Sequence, residues 1–189
     1  MMGSVSRFGA LFLTAAATAA AFFLLASCDD AQTPEPVNTQ PPPTTVENAT
    51  LGLRLAGLPD DLSVAVNDGD RLELVPAAQD VEGRIVFGVL PPEAGQNIPA
   101  AVADHQASIA GRDGGSYQGS QELISPLGTT FYSRGRFTAD GLPVEETVVF
   151  TLHPAGGRMM TITYTYPADE DSSVRVQQLL DVVAVVEGI

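Results

Sequence analysis

VEETVVFTLHPAGGRMMTITYTYP, residues 144–167, decides how this chain folds. Val148, Phe150 and Leu152 fall at every second position, as do Met160, Ile162, Tyr164 and Tyr166, with Thr161, Thr163 and Thr165 between the latter. A strand turns successive side chains to opposite faces, so a period of two predicts strands with one packed face. Pro154-Ala155-Gly156-Gly157 separates the two runs and is turn chemistry. The stretch therefore reads as two neighbouring strands of an antiparallel meander.

Working outward, TTFYSRGRF (residues 129–137) extends the meander by a strand, joined to it through the turn residues Asp140-Gly141. Phe131 and Phe137 share one face of that strand, and Tyr132, Arg134 and Arg136 share the other. Gly135 marks a place where another element packs closely. Tyr117–Ile124 is the least regular run. Before it the period changes: Ile98, Val102, His105 and Ile109 recur at helical spacing, with Asn97 as cap, Pro99 in the first turn and Gly111 and Gly114-Gly115 as stop. Earlier still, alternation returns in Leu51/Leu53/Leu55, Leu62/Val64/Val66, Leu72/Leu74 and Ile85/Phe87/Val89, punctuated by Asn67-Asp68-Gly69-Asp70. The C-terminus is again helical. Val176, Leu179, Leu180, Val183 and Val186 form its apolar stripe, Ser172 or Ser173 its cap, and Asp169, Glu170 and Asp171 suit the positive end of its dipole. Strands, helix, strands, helix is an α+β order, with a central antiparallel sheet and two helices packed on it.

The N-terminus is of another kind. Phe8–Ala26 is apolar or small for about 19 residues, close to the ~20 of a membrane-spanning helix. It closes on Leu25-Ala26-Ser27-Cys28, which holds the only cysteine of the chain. An aliphatic residue and two small ones before a cysteine resemble the lipobox of bacterial lipoproteins. The resemblance implies a signal peptide at residues 1–27, cleavage before Cys28, and acylation of Cys28 into a membrane anchor. Asp29 implies, by the enterobacterial sorting rule, the periplasmic face of the inner membrane, the outer membrane being the alternative. Residues 28–48 read as the lipidated cysteine and a tether: residues 31–48 carry five prolines and no aromatic side chain, too little apolar surface to offset chain entropy. The globular domain is expected over 49–189.

Composition narrows the function. The chain has 189 residues, nine arginines and no lysine against 23 acids, and a net charge of −14. Such a surface repels phosphate backbones, so nucleic acid is not an expected partner. One cysteine excludes an intrachain disulfide and a cysteine-cluster metal site.

The order of elements in 49–189 is similar to that of the PsbP-like family. The likeness is carried by LGLRLAGL followed by PDD, by IPAAVADHQASI, by GTTFYSRGRF, TADGLPVEETVVF and GRMMTITYTYPA, and by VQQLLDVVAVVEGI. It departs from the family in having no tryptophan. The resemblance implies an α/β/α sandwich and an accessory or binding role without a shared catalytic site.

Chemistry-bearing residues are sparse. His105 is the weak candidate for a base or metal ligand, although its place on an apolar helical stripe favours a hydrogen-bonded boundary role. His153 falls at a strand end, and two histidines alone do not make a zinc site. Asp68 and Asp70 lack the spacing of a calcium loop, and GRDGGS (residues 111–116) lacks the lysine of a phosphate loop. Tyr132, Arg134 and Arg136 form a candidate interaction surface, since arginine and tyrosine are favoured at interfaces. No cofactor is implied. The expectation is a lipid-anchored, non-enzymatic envelope protein that binds a protein or small ligand. The alternatives are a hydrolase or metal-dependent enzyme whose site assembles only in three dimensions, and a structural spacer.

Overall fold

The computed structural model describes residues 44–90 and 97–189, all of them within one compact unit, Pro41–Ile189. The residues read above as a signal peptide (1–27), Cys28, Asp29 and most of those read as a tether lie outside the described residues. Ten strands and two helices follow in the order β1 (Thr45–Asn48), β2 (Leu53–Ala56), β3 (Leu62–Asp68), β4 (Arg71–Pro76), β5 (Arg84–Val89), α1 (Ile98–Ala110), β6 (Ser116–Ser125), β7 (Gly128–Ala139), β8 (Leu142–Leu152), β9 (Met159–Pro167), α2 (Ser172–Ala184) and β10 (Val186–Gly188).

Seven strands form the main sheet in the order β3-β4-β5-β9-β8-β7-β6, antiparallel throughout. The meander expected of residues 129–167 is present. β7 and β8 are joined by Asp140-Gly141, both at positive φ (52° and 80°), with Ala139 paired to Leu142, the primed hairpin turn that asparagine or aspartate followed by glycine favours.

Register assigns the faces. Tyr164 pairs with Ile85 and Thr147, and Thr147 pairs with Arg134. These four therefore share a face, and the Arg175 and Gln178 side chains of α2 reach Tyr164 on it. The opposite face of β7 presents Ser133, Gly135 and Phe137 to α1 through His105, Ile109 and Arg112. The helices thus pack on opposite sides of the sheet, as the α/β/α expectation required. The main core lies on the α2 side, where Leu53, Leu55, Leu72, Leu74, Ile85, Phe87, Ile162, Tyr164 and Leu179 are buried together. A smaller cluster of Ile98, Val148, Phe150 and Met159 lies under α1.

Several local expectations are corrected. A second, three-stranded sheet β1-β2-β10 is formed; the Leu53/Leu55 alternation marked β2 alone, and β1 and β10, four and three residues long, are too short to show a period. Thr45–Asn48, assigned above to the tether, is paired with β2. Val186, placed above on the helical stripe, belongs to β10 and pairs with Leu55. A bulge between Val64 and Val66 breaks the alternation expected of β3. Asp171 rather than a serine caps α2: its carboxylate accepts from the Ser173 backbone N–H at 2.9 Å and from the Ser173 hydroxyl at 2.7 Å. On α2 it is Arg175, not Val176, that turns inward and is buried.

Candidate functional site

Glu145 and Glu146 are neighbours on β8, so their carboxylates leave the sheet on opposite sides. Each organises a polar cluster.

On the α1 side, Asn97 caps α1 by accepting from the Ala100 N–H at 3.2 Å, which fixes the helix and drops His105 onto the sheet. His105 Nδ1 lies 2.8 Å from Ser133 Oγ and Nε2 lies 3.2 Å from Glu146 Oε1. Tyr117 Oη is 3.0 Å from the same serine, and Arg112 donates to Glu146 Oε2 at 3.2 Å while stacking 4.2 Å over Phe137. Burial pushes the Glu146 carboxyl upward, but the His105 hydrogen bond and the Arg112 charge together outweigh it and hold it below its ordinary value. A serine, a histidine and a carboxylate in line have the composition of a hydrolytic triad. Here, however, Ser133 is 0% exposed in mid-strand beneath the helix, where no acyl group reaches its Oγ. The arrangement locks α1 to the sheet.

On the α2 side, Glu145 is buried and receives three groups. The Tyr166 hydroxyl donates to it at 2.6 Å, Arg136 Nε at 2.6 Å, and Arg134 Nε stands 3.6 Å away. Burial first, and the Glu145 hydrogen bond second, raise the Tyr166 hydroxyl well above the usual phenol range, so it remains a donor. Tyr132, Arg134 and Arg136 project on this face as expected, with Arg136 exposed and the other two half-buried. Tyr132 donates to Gln121 at 3.3 Å. Between β6 and β7 lies a polar hollow of about 210 Å³, lined by Gln118, Gly119, Ser120, Gln121, Tyr132 and Arg134. Two arginines share one carboxylate, which leaves this patch with a positive charge in a chain of net charge −14.

The structure thus separates the candidates: His105 is sealed under α1, and the Tyr132–Arg134–Arg136 surface is open. His153 is buried, its Nε2–H donating to the Leu51 carbonyl at 2.8 Å and its Nδ1 accepting from Ala155 N–H at 3.1 Å, so it pins the β8–β9 turn to the small sheet. Among the described residues no three histidine, cysteine or carboxylate side chains converge on a metal-sized site. A half-open cavity of about 620 Å³ adjoins the Glu145 cluster, sharing Tyr166 with it and lined also by Arg84, Pro143 and Glu170. Sequence reasoning did not single out Glu145 or Tyr166. The one legible signal was the Glu145-Glu146 doublet inside a largely apolar strand, which requires a cation or donor on each side.

A seven-stranded antiparallel sheet with a helix on each face defines an α+β fold of the PsbP- and Mog1-like kind. A crystal structure from Bacteroides thetaiotaomicron matches with a TM-score of 0.55 and 12% identity over 78% of this chain, which spans only 49% of that protein. The Ran-binding protein Mog1p of Saccharomyces cerevisiae matches with a TM-score of 0.54 and 13% identity over 77% of this chain and 94% of its own. Cyanobacterial PsbP (CyanoP) from Synechocystis matches with a TM-score of 0.51 and 9% identity over 80% of this chain and 96% of its own. No protein-family model matches the chain, and no curated sequence does. At these identities the likeness is one of fold. No helix among the described residues is long and apolar enough to cross a membrane.

Proposed function

We propose that this chain is a lipid-anchored bacterial envelope protein, non-enzymatic, which binds a partner protein through the open face carrying Tyr132, Arg134 and Arg136. The observation that carries the reading is the arginine pair sharing the buried Glu145 carboxylate. Glu145, itself fixed by the Tyr166 hydroxyl, bonds the Arg136 guanidinium and pairs electrostatically with that of Arg134, and a positive surplus is left on an open sheet face of an acidic molecule. Preorganised arginine and tyrosine beside a polar hollow suit an acidic group on a partner. The yeast protein of like fold is a Ran-binding protein, which supports a recognition role. The Leu25–Cys28 motif supports the anchor, and Asp29 favours the periplasmic face of the inner membrane over the outer membrane. The enzymatic alternative finds its nearest constellation, His105–Ser133–Glu146, closed to substrate.

Two experiments test this. The intact mass of membrane-extracted protein is expected to show an acylated chain beginning at Cys28, and Cys28→Ala is expected to leave the unprocessed precursor. A photo-crosslinking residue at position 132 in the acylated protein is expected to give a discrete protein adduct, lost on Arg134→Gln/Arg136→Gln and absent from position 163 on the other face. Adducts of equal yield from both positions, or none from 132, refute the surface and favour the spacer.

A further inference from the structure

β6 is the last strand of the main sheet, and among the described residues its outer edge carries no backbone hydrogen bond. Ser125 pairs with Gly128 across the two-residue loop Pro126-Leu127. Residues flanking such a loop form a hydrogen-bonded pair, and alternation follows along the ladder. Ser125, Leu123 and Gln121 therefore bond to β7, while Ile124, Glu122 and Ser120 turn their N–H and C=O groups outward. Protein sheets guard such edges with charged side chains, lysine above all, with proline or with bulges; Glu122 is the one charge on this segment. Here the bulge lies between Tyr117 and Gly119, and Ser120–Ser125 runs on in unbroken register without lysine or proline, exposing Ile124 to 94%. The opposite edge is guarded: β3 is bulged, and its Asn67 side chain donates to the Glu47 carbonyl of β1 at 2.8 Å.

Gly119 pairs with Arg134. Gly119 has no side chain, its φ is 115° and its missing Cβ would meet nothing within 4 Å, and it lines the 210 Å³ hollow together with Arg134. A strand added beyond β6 would lie two strand spacings from β7, about 9.6 Å, a gap that a carboxylate and an arginine side chain span together. We propose that Ser120–Ser125 takes an extended segment of a partner protein as an eighth strand, and that an acidic side chain of that segment enters over Gly119 to pair with Arg134. The proposal rests on the surface reading above and assigns its partner a mode of attachment. A second copy of this chain does not supply the charge: in a twofold antiparallel pairing its β6 brings only Glu122 as a carboxylate, and Glu122 lies on the α1 side, away from Arg134.

The test uses the full chain in detergent and blocked peptides of about eight residues, alternating threonine and valine with one glutamate at successive positions, together with their glutamine counterparts. Binding is read by fluorescence anisotropy. Glutamate peptides of one register are expected to bind about tenfold more tightly than the glutamine forms, and Arg134→Gln is expected to erase the preference. N-methylation of alternate peptide residues is expected to abolish binding in one frame and spare it in the other, because only one set of N–H groups faces β6. Ile124→Pro removes an outward donor without touching the β7 ladder and is expected to weaken every peptide. The proposal is overturned by absence of saturable binding, by equal effects of the two methylation frames, by a glutamate preference that survives Arg134→Gln, or by a dimer of this chain that Ile124→Pro dissociates. If position 132 still crosslinks its adduct while the peptides fail, the surface stands and strand addition is wrong.

Discussion

Gly135→Ala tests how tightly α1 is seated. A Cβ built on Gly135 falls 2.6 Å from Ile109 Cγ2, 2.7 Å from Cγ1 and 3.0 Å from Cδ1. Ile109 is fully buried, and on either side of it His105 and Arg112 are committed to Ser133, Glu146 and Phe137. The isoleucine cannot swing away without drawing α1 off the sheet. Overpacking of this kind costs about 1–3 kcal/mol. The same change removes unfolded-state freedom, which contributes about 0.4–1 kcal/mol in the stabilising direction. The net expectation is a loss of about 1–2 kcal/mol, seen as a melting temperature lower by about 4 °C. Urea unfolding of the Pro41–Ile189 unit measures it. Ile109→Val keeps the two nearest carbons and gives no relief. Ile109→Ala costs about 2–5 kcal/mol by itself, but in its background Gly135→Ala should become neutral or stabilising, a coupling of about 1–3 kcal/mol. If Gly135→Ala stabilises the native protein, or costs the same in both backgrounds, the seating described here is wrong.

Acid should unlock α1. The Glu146 carboxyl is held below the ordinary carboxylate value in the fold, so its stabilisation is present above that value and is lost as pH falls below it through the depressed folded value; Glu146→Gln, measured by urea midpoints between about pH 5 and 3, should show a shallower decline than the native chain. At the alkaline end, burial raises both Tyr164 and Tyr166 above 10.0. Their stabilisation is complete below pH 10 and is lost as pH rises above it, so Tyr166→Phe should flatten the alkaline limb of the same titration. Glu145→Ala strips two arginines of their shared carboxylate and Tyr166 of its acceptor; because the guanidiniums are 31% and 48% exposed, solvent takes up part of the loss, and about 1–3 kcal/mol is expected, whereas a loss below 0.5 kcal/mol on the order of surface noise would contradict the cluster.

What the sequence determined by itself was everything that repeats within a few residues. The threonine-tyrosine alternation of residues 159–167, the Asp140-Gly141 turn and the Asn97 cap are local, because strand period, primed turn and helix cap are each set by neighbours in the chain. Gly135 belongs with them in part: the residue announced a close approach, and only the fold showed that Ile109 made it. Tertiary structure alone decided the rest. In the β1-β2-β10 sheet, the alternating β2 meets β10, a segment more than 130 residues away and too short to show a period, with Glu187 pairing to Arg54 across the gap. Whether Arg175 or Val176 turned inward depended on Tyr164 waiting with a hydroxyl 3.0 Å from the guanidinium. Tyr132, Arg134 and Arg136 share a face by strand geometry, which the chain dictates. Their standing as a charged, preorganised surface required Glu145 and Tyr166 to arrive from two other strands, because a buried carboxylate is tolerable only where the fold brings its partners.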